Sequence, residues 1–314
     1  MPVLVIVAPG QGSQTPGMLT PWLENSAFKN LLLAASEACG IDLNQHGTQT
    51  DADTNRDTSI AQPLIVAAGL GSLATISDLV GFPITSANAV AGHSVGEITA
   101  AIATGVLTVE DGMNLVSVRG NEMAKAAGQT ATSMAAVLGG IREDVISALD
   151  ALELVAANEN GANQIVAAGS IEKIEALVAN PPSGTRVRPL AVAGAFHTQY
   201  MASAQDAVAA LAAKLPASDP TVKMISNKGG DVVIDGSEFL NRIVGQVASP
   251  VRWDLCMETF SAMGITGMIE LFPGGTLTGI AKRALPGVEL LPLNGIEEIQ
   301  KVKDFVTKHL EVGL

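Results

Sequence analysis

The chain is short of aromatic side chains, of cationic ones and of cysteine. Only 3% of its 314 residues are aromatic, while glycine alone numbers 32. A core with few rings and much Ala and Gly implies helices packed closely on a sheet. Lys and Arg total 18 against 31 Asp and Glu, giving a net charge of -13. That deficit of positive charge argues against nucleic acid and against anionic membrane surfaces as partners. A local basic patch can still oppose the average, and Lys282-Arg283 is one candidate pair. The two cysteines, Cys39 and Cys256, form no C-x-x-C and no metal-ligand spacing. A reducing, cytoplasmic setting suits them, and no metal is expected. The N-terminal stretch Met1 to Pro9 is apolar but has no basic leader, so it reads as a first core strand. No uninterrupted apolar run is long enough to span a bilayer. The loop Pro9-Gly10-Gln11-Gly12-Ser13-Gln14 lacks the G-x-x-x-x-G-K-[ST] pattern, which argues against a P-loop. It is either an ordinary turn after a strand or a loop offering backbone amides to a ligand.

Hydrophobic residues, at 47%, are ample for one large domain with a smaller insertion. Val3 to Val7 reads as a strand buried on both faces. Residues 22–39 and 60–80 read as helices, with a polar, irregular segment from Leu43 to Thr58 between them. A strand over 86–91 leads to a helix over 95–104, and Thr108 caps a helix over 109–127. From 129 to 195 the texture changes to strand (133–138), helix (143–151), two strands (152–157 and 164–168) joined through Asn158 to Gly161, helix (171–179) and strand (186–192). The order βαββαβ is that of a ferredoxin-like unit. The expected fold is therefore α/β: a hydrolase-like large domain with a parallel sheet (1–128 and 196–314) and an inserted ferredoxin-like small domain (129–195). In the second part of the large domain the pattern gives helices over 198–215, 237–247, 254–263 and 296–311 and strands near 222–226 and 267–271.

Gly92-His93-Ser94-Val95-Gly96 lies between a strand and a helix. The pentapeptide G-x-S-x-G arises by chance in many chains, but this context is that of a nucleophile elbow. Such a turn would hold the Ser94 hydroxyl clear and aim the Val95 amide where an oxyanion would form, with the positive end of the next helix behind it. Serine needs a base. Of four histidines, His46 in the polar loop and His309 in the last helix read as solvated, and the His93 side chain leaves the turn in another direction. His197, in Gly194-Ala195-Phe196-His197-Thr198, sits where the small domain closes. It is either the base or a structural loop histidine. Asp111, Asp144 and Asp150 lie between the serine and His197, yet none follows a strand where a triad acid would stand. A backbone carbonyl could orient the imidazole instead. Arg119 projects near the inward face marked by Met113, Val116, Gly120 and Met123. A cation there is either locked in an internal salt bridge or free to hold a substrate carboxylate.

Taken together, Gly10-Gln11-Gly12-Ser13-Gln14, Gly92 to Glu97, Arg119 with Met123, Asn158-Glu159-Asn160, Gly194 to His197, Asn227, Gln246 with Ser249 to Trp253, and Gly274 to Gly279 resemble the malonyl-CoA:acyl carrier protein transacylases, the bacterial type II acyltransferase family. The resemblance runs in order along nearly the whole chain. It implies a ping-pong transfer of malonyl from malonyl-CoA to the phosphopantetheine thiol of acyl carrier protein, for fatty acid or polyketide synthesis, without a cofactor. It further implies Ser94 as nucleophile, His197 as base, the Gln246 backbone carbonyl as its orienter, and the Gln11 and Val95 amides as the oxyanion hole. Arg119 would hold the malonyl carboxylate, with Met123 and Gln62 in the pocket and Phe196 selecting against branched acyl groups. Gly194 departs from the histidine or tyrosine common in modular synthases. A serine hydrolase or thioesterase on the same elbow, and a non-catalytic carrier-protein docking module, are the competing readings. The acting unit is expected to be a monomer.

Overall fold

A computed structural model describes residues 2–310. The first strand, β1 (Leu4–Ala8), is buried along its whole length. Its side chains alternate: Leu4, Ile6 and Ala8 enter one core, Val5 and Val7 another. The period of two places an apolar layer on each face of the sheet. After it come α1 (Ser26–Cys39), α2 (Leu43–Thr48) and α3 (Thr58–Val80). The stretch expected to be irregular thus contains α2, capped by the Asp42 carboxylate on the Gln45 amide. By length and composition α3 could cross a membrane, although its apolar run is interrupted by polar residues such as Gln62, Ser72 and Asp78. Here it is a core helix, with Ala61 to Ser72 all buried.

The chain continues through β2 (Ala89–Gly92), α4 (Gly96–Ala103) and α5 (Val109–Gln129). Thr108 caps α5 as expected, accepting the Asp111 amide at 3.0 Å. Next come β3 (Thr132–Gly139), α6 (Arg142–Ala151), β4 (Val155–Gly161), β5 (Gln164–Ser170), α7 (Ile171–Ala179) and β6 (Thr185–Pro189). Asn158 to Gly161 belong to β4 rather than to a connection, and Ala162-Asn163 make the turn. Both turn residues have positive φ, 49° and 57°. The remaining elements are α8 (Ala202–Ala212), β7 (Met224–Ile225), β8 (Val232–Val233), α9 (Gly236–Gln246), β9 (Val251–Arg252), α10 (Trp253–Ala262), β10 (Gly267–Glu270), α11 (Thr276–Ala284), β11 (Glu289–Pro292) and α12 (Ile299–His309). Residue 311, included above in the last helix, and Met1 lie outside the described residues.

The larger sheet has the order β11-β10-β1-β2-β7-β8, parallel except for β8. Helices α3, α4 and α5 cover one face and α10 and α11 the other. The smaller sheet has the order β6-β3-β5-β4-β9. Its first four strands are antiparallel, the ferredoxin-like arrangement, with α6 and α7 packed on one face. The fifth, β9, comes from far along the chain and pairs in parallel with β4. The fold is the two-domain α/β one expected, with β9 as the addition.

Candidate active site

The turn from β2 into α4 is tight for a steric reason. A Cβ on Gly92 would lie 1.9 Å from the Gly96 carbonyl carbon, and one on Gly96 2.3 Å from the Ala8 oxygen. Only hydrogen fits at either place. Ser94, at the apex, has φ +54°, the left-handed region in which a side-chain-bearing residue is strained. Asn227, just beyond β7, pins the turn. Its Oδ1 accepts the Ser94 amide at 2.8 Å, and its Nδ2 donates to the Gly92 carbonyl at 2.8 Å.

His197 also has positive φ, at 60°, and is buried. Its Nε2 lies 2.8 Å from Ser94 Oγ and its Nδ1 2.8 Å from the Gln246 backbone oxygen. A carbonyl only accepts, so Nδ1 carries the proton and bare Nε2 faces the hydroxyl. Asp111, Asp144 and Asp150 take no part. Burial lowers the His197 pKa to about 3, aided by the Arg119 charge and His93 and opposed by the Gln246 carbonyl. The imidazole is held neutral, ready to take a proton.

Arg119 is fully buried. Helix α5 passes close to α3 because Gly120 faces the Thr58 carbonyl, where a Cβ would come within 2.8 Å. That approach lets Arg119 Nη1 donate to Gln62 Oε1 at 2.6 Å. Nη2 donates to Gln246 Oε1 at 2.9 Å and reaches Ser94 Oγ at 3.4 Å. Among the described residues no carboxylate forms an ion pair with it, so an internal salt bridge does not occupy the guanidinium. Burial lowers its pKa to about 10, with the Glu97 charge acting the other way. It stays cationic at neutral pH. Gln62 is held in turn by Met123, whose sulfur accepts from Nε2 at 3.4 Å. Phe196 is buried beside His197.

The Pro9 to Gln14 loop presses on the elbow at Gly10, where a Cβ would come 2.8 Å from the His93 carbonyl oxygen. The backbone amides of Gln11 and Val95 have no acceptor among the described residues. Both are available to an external oxygen. His93 does point elsewhere: Nε2 meets Asn160 Oδ1 at 2.8 Å and the ring meets Trp253 edge-on. His309 is not solvated as expected. It is buried, with Nδ1 3.0 Å from Thr266 Oγ1 and Nε2 2.9 Å from Glu289. His46 is half-buried on α2 rather than in a loop.

Two neighbours of the site, Asn227 and Glu97, form part of the resemblance, but the sequence assigned neither a function of its own. Asn227 sits after a strand of two residues, too short to show a pattern. Glu97, 1% exposed in the first turn of α4, offered one signal: an acid opening an apolar helical run.

A nucleophile elbow, a neutral buried imidazole and a free buried cation at one point define an acyl-transferring serine site. The chain belongs to the acyl transferase domain family, whose pattern it matches over residues 5–298. It is 46% identical over 289 residues to the malonyl CoA-acyl carrier protein transacylase of Mycobacterium tuberculosis, covering 91% of this chain and 94% of the relative. It is 44% identical over 287 residues to the protein of that name from Mycolicibacterium smegmatis, with 90% and 98% covered. Among solved structures, MCAT from Mycobacterium tuberculosis superposes with a TM-score of 0.91 at 43% identity, covering 96% of this chain and 99% of that one. The acyl-carrier-protein-S-malonyltransferase of Bartonella henselae gives 0.90 at 28% identity, with 97% and 99% covered.

Proposed function

We propose that this protein is an acyl-carrier-protein S-malonyltransferase working through a malonyl-serine. The observation that carries the reading is the meeting of Ser94 Oγ with His197 Nε2 at 2.8 Å and with Arg119 Nη2 at 3.4 Å. One atom is thus in reach of both a base and a carboxylate holder. His197 Nε2 takes the hydroxyl proton as Ser94 Oγ attacks the thioester carbonyl of malonyl-CoA. The Gln11 and Val95 amides receive the developing oxyanion. The carbon–sulfur bond breaks, and His197 returns its proton to the departing CoA thiolate. The carrier protein's phosphopantetheine thiol then gives its proton to His197 and attacks the malonyl-serine; the carbon–oxygen bond breaks, and His197 returns that proton to Ser94 Oγ. Throughout, Arg119 holds the malonyl carboxylate, while Gln62, itself held by Met123, and Gln246 hold Arg119. Phe196 crowds the α-carbon and disfavours an added methyl by about 1–3 kcal/mol.

Exposed Lys282 and Arg283 on α11 supply a basic rim for the acidic carrier protein, with Arg283 Nη2 also donating to Gln164 at 3.1 Å. One chain supplies every group of the site, so we read the monomer as the acting unit. Two free thiols suit a reducing cytoplasm. No cofactor enters this scheme. Supplying malonyl-CoA with and without carrier protein separates transfer from hydrolysis. Malonyl should appear on the carrier thiol, with little free malonate in its absence. Rapid release of malonate without the carrier would make the protein a thioesterase.

A further inference from the structure

Behind the elbow lies a buried acid that no step above uses. Glu97 Oε1 accepts the Asn227 amide at 2.8 Å, and Oε2 accepts from Nε2 of the Gln246 side chain. The same nitrogen lies 3.1 Å from Asn227 Oδ1 and 3.3 Å from the Ser94 carbonyl oxygen. The oxygen of that carboxamide accepts from Arg119 Nη2 at 2.9 Å. Gln246 therefore joins the base, through its backbone, to the cargo-holding cation, through its side chain.

The polarity of this chain is forced. A backbone amide and a guanidinium can only donate, and an ionised carboxylate can only accept. With Arg119 on one side and Glu97 on the other, the Gln246 carboxamide has one orientation that satisfies both. We propose that Glu97 is a positioning residue for Arg119. Its carboxylate turns the oxygen of Gln246 toward the guanidinium and so sets the preference for acyl groups that end in a carboxylate. The proposal rests on the transferase reading above.

A glutamine at 97 cannot do the same, although its shape is nearly identical. It has one acceptor oxygen for two donors, the Asn227 amide and the Gln246 nitrogen. Either a donor faces a donor, or Gln246 turns its NH2 toward Arg119. Burial pushes the Glu97 carboxyl up to about 8, while the Asn227 amide, the charges of Arg119 and Arg242 and the Ser226 hydroxyl pull it down. All of these donate or are positive, the surroundings an ionised carboxylate requires, but burial is the larger influence and leaves the group fully ionised only above about pH 8, so the loading assays below are run above that pH.

The test is Glu97→Gln in the full-length protein, with loading of Ser94 followed for malonyl-CoA and for acetyl-CoA, which has no carboxylate to hold. Malonyl loading should fall about tenfold, chiefly through KM, as expected for one charge-assisted hydrogen bond. Acetyl loading should stay within about threefold, less than such a bond is worth. Gln246→Met keeps the backbone carbonyl for His197 and removes the carboxamide. Relative to its own acetyl loading, malonyl loading should fall by the same factor as in Glu97→Gln, and the double variant should lose no more of that ratio than either single one. If Glu97→Gln does not fold, Gln246→Met decides by the same split. Equal losses on both thioesters in a folded variant, or additive losses in the double variant, would overturn the proposal. A wild-type protein that loads no malonyl would instead remove the functional reading itself.

Discussion

His197 and Arg119 are tied together electrostatically, and each leaves a mark on the other's behaviour. The imidazole works as a base only when neutral. Its pKa is lowered from 6.5 to about 3, so falling pH protonates it late. The acid limb of kcat/KM for malonyl loading should accordingly lie well below 6.5. Arg119→Ala removes one of the causes and should move that limb upward. A limb at 6.5 in the wild-type protein, unmoved by the substitution, would contradict the electrostatics. The same variant should lower malonyl loading about a hundredfold, the worth of two charged hydrogen bonds, and acetyl loading far less. Equal losses measured by stopped-flow release of CoA would make Arg119 structural. The sequence identified Ser94 by its glycines and Arg119 by helical spacing. The Gln246 carbonyl could not be found that way, because every residue has a carbonyl and only the fold selects one.

The elbow is the element on which the site depends, and its glycines are steric necessities. Gly96→Ala would push a methyl into the Ala8 carbonyl of β1. Overpacking of this kind costs about 1–3 kcal/mol or more, because backbone rather than a side chain must yield. Urea unfolding should show a lower midpoint, and loading of Ser94 should fall with it. An unchanged midpoint would mean that the turn is looser than described. The β2–turn–α4 unit was legible because its signals are local: an apolar strand, two glycines and an apolar helix. Helix α11 was not, because its cap is remote. The Glu270 carboxylate accepts the amides of Gly275, Leu277 and Thr278, where a sequence reading looks for a neighbouring Ser or Asp. Strand β11, with four residues, and β8 and β9, with two each, are too short to carry a period.

Strand β4, which the sequence had half dissolved into a connection, ends beside the elbow. Glu159 accepts from Arg142 Nε at 2.6 Å and lies 3.5 Å from Arg252 Nε on β9. The next residue, Asn160, meets His93 beside the nucleophile. These contacts set the small sheet against the elbow, although β9 and β4 lie far apart in the chain. We propose domain boundaries near 128 and 195, with β9 lent to the smaller domain by the larger. In the proposed mechanism all of it serves one event, the capture of a malonyl group by a hydroxyl that an imidazole deprotonates and a guanidinium steers. Brief mixing with malonyl-CoA, followed by mass measurement of the intact protein and its peptides, observes that event. One malonyl group should appear on the peptide bearing Ser94 and be absent from Ser94→Ala. An adduct that survives the substitution, or that sits on another residue, would show that the chemistry lies elsewhere.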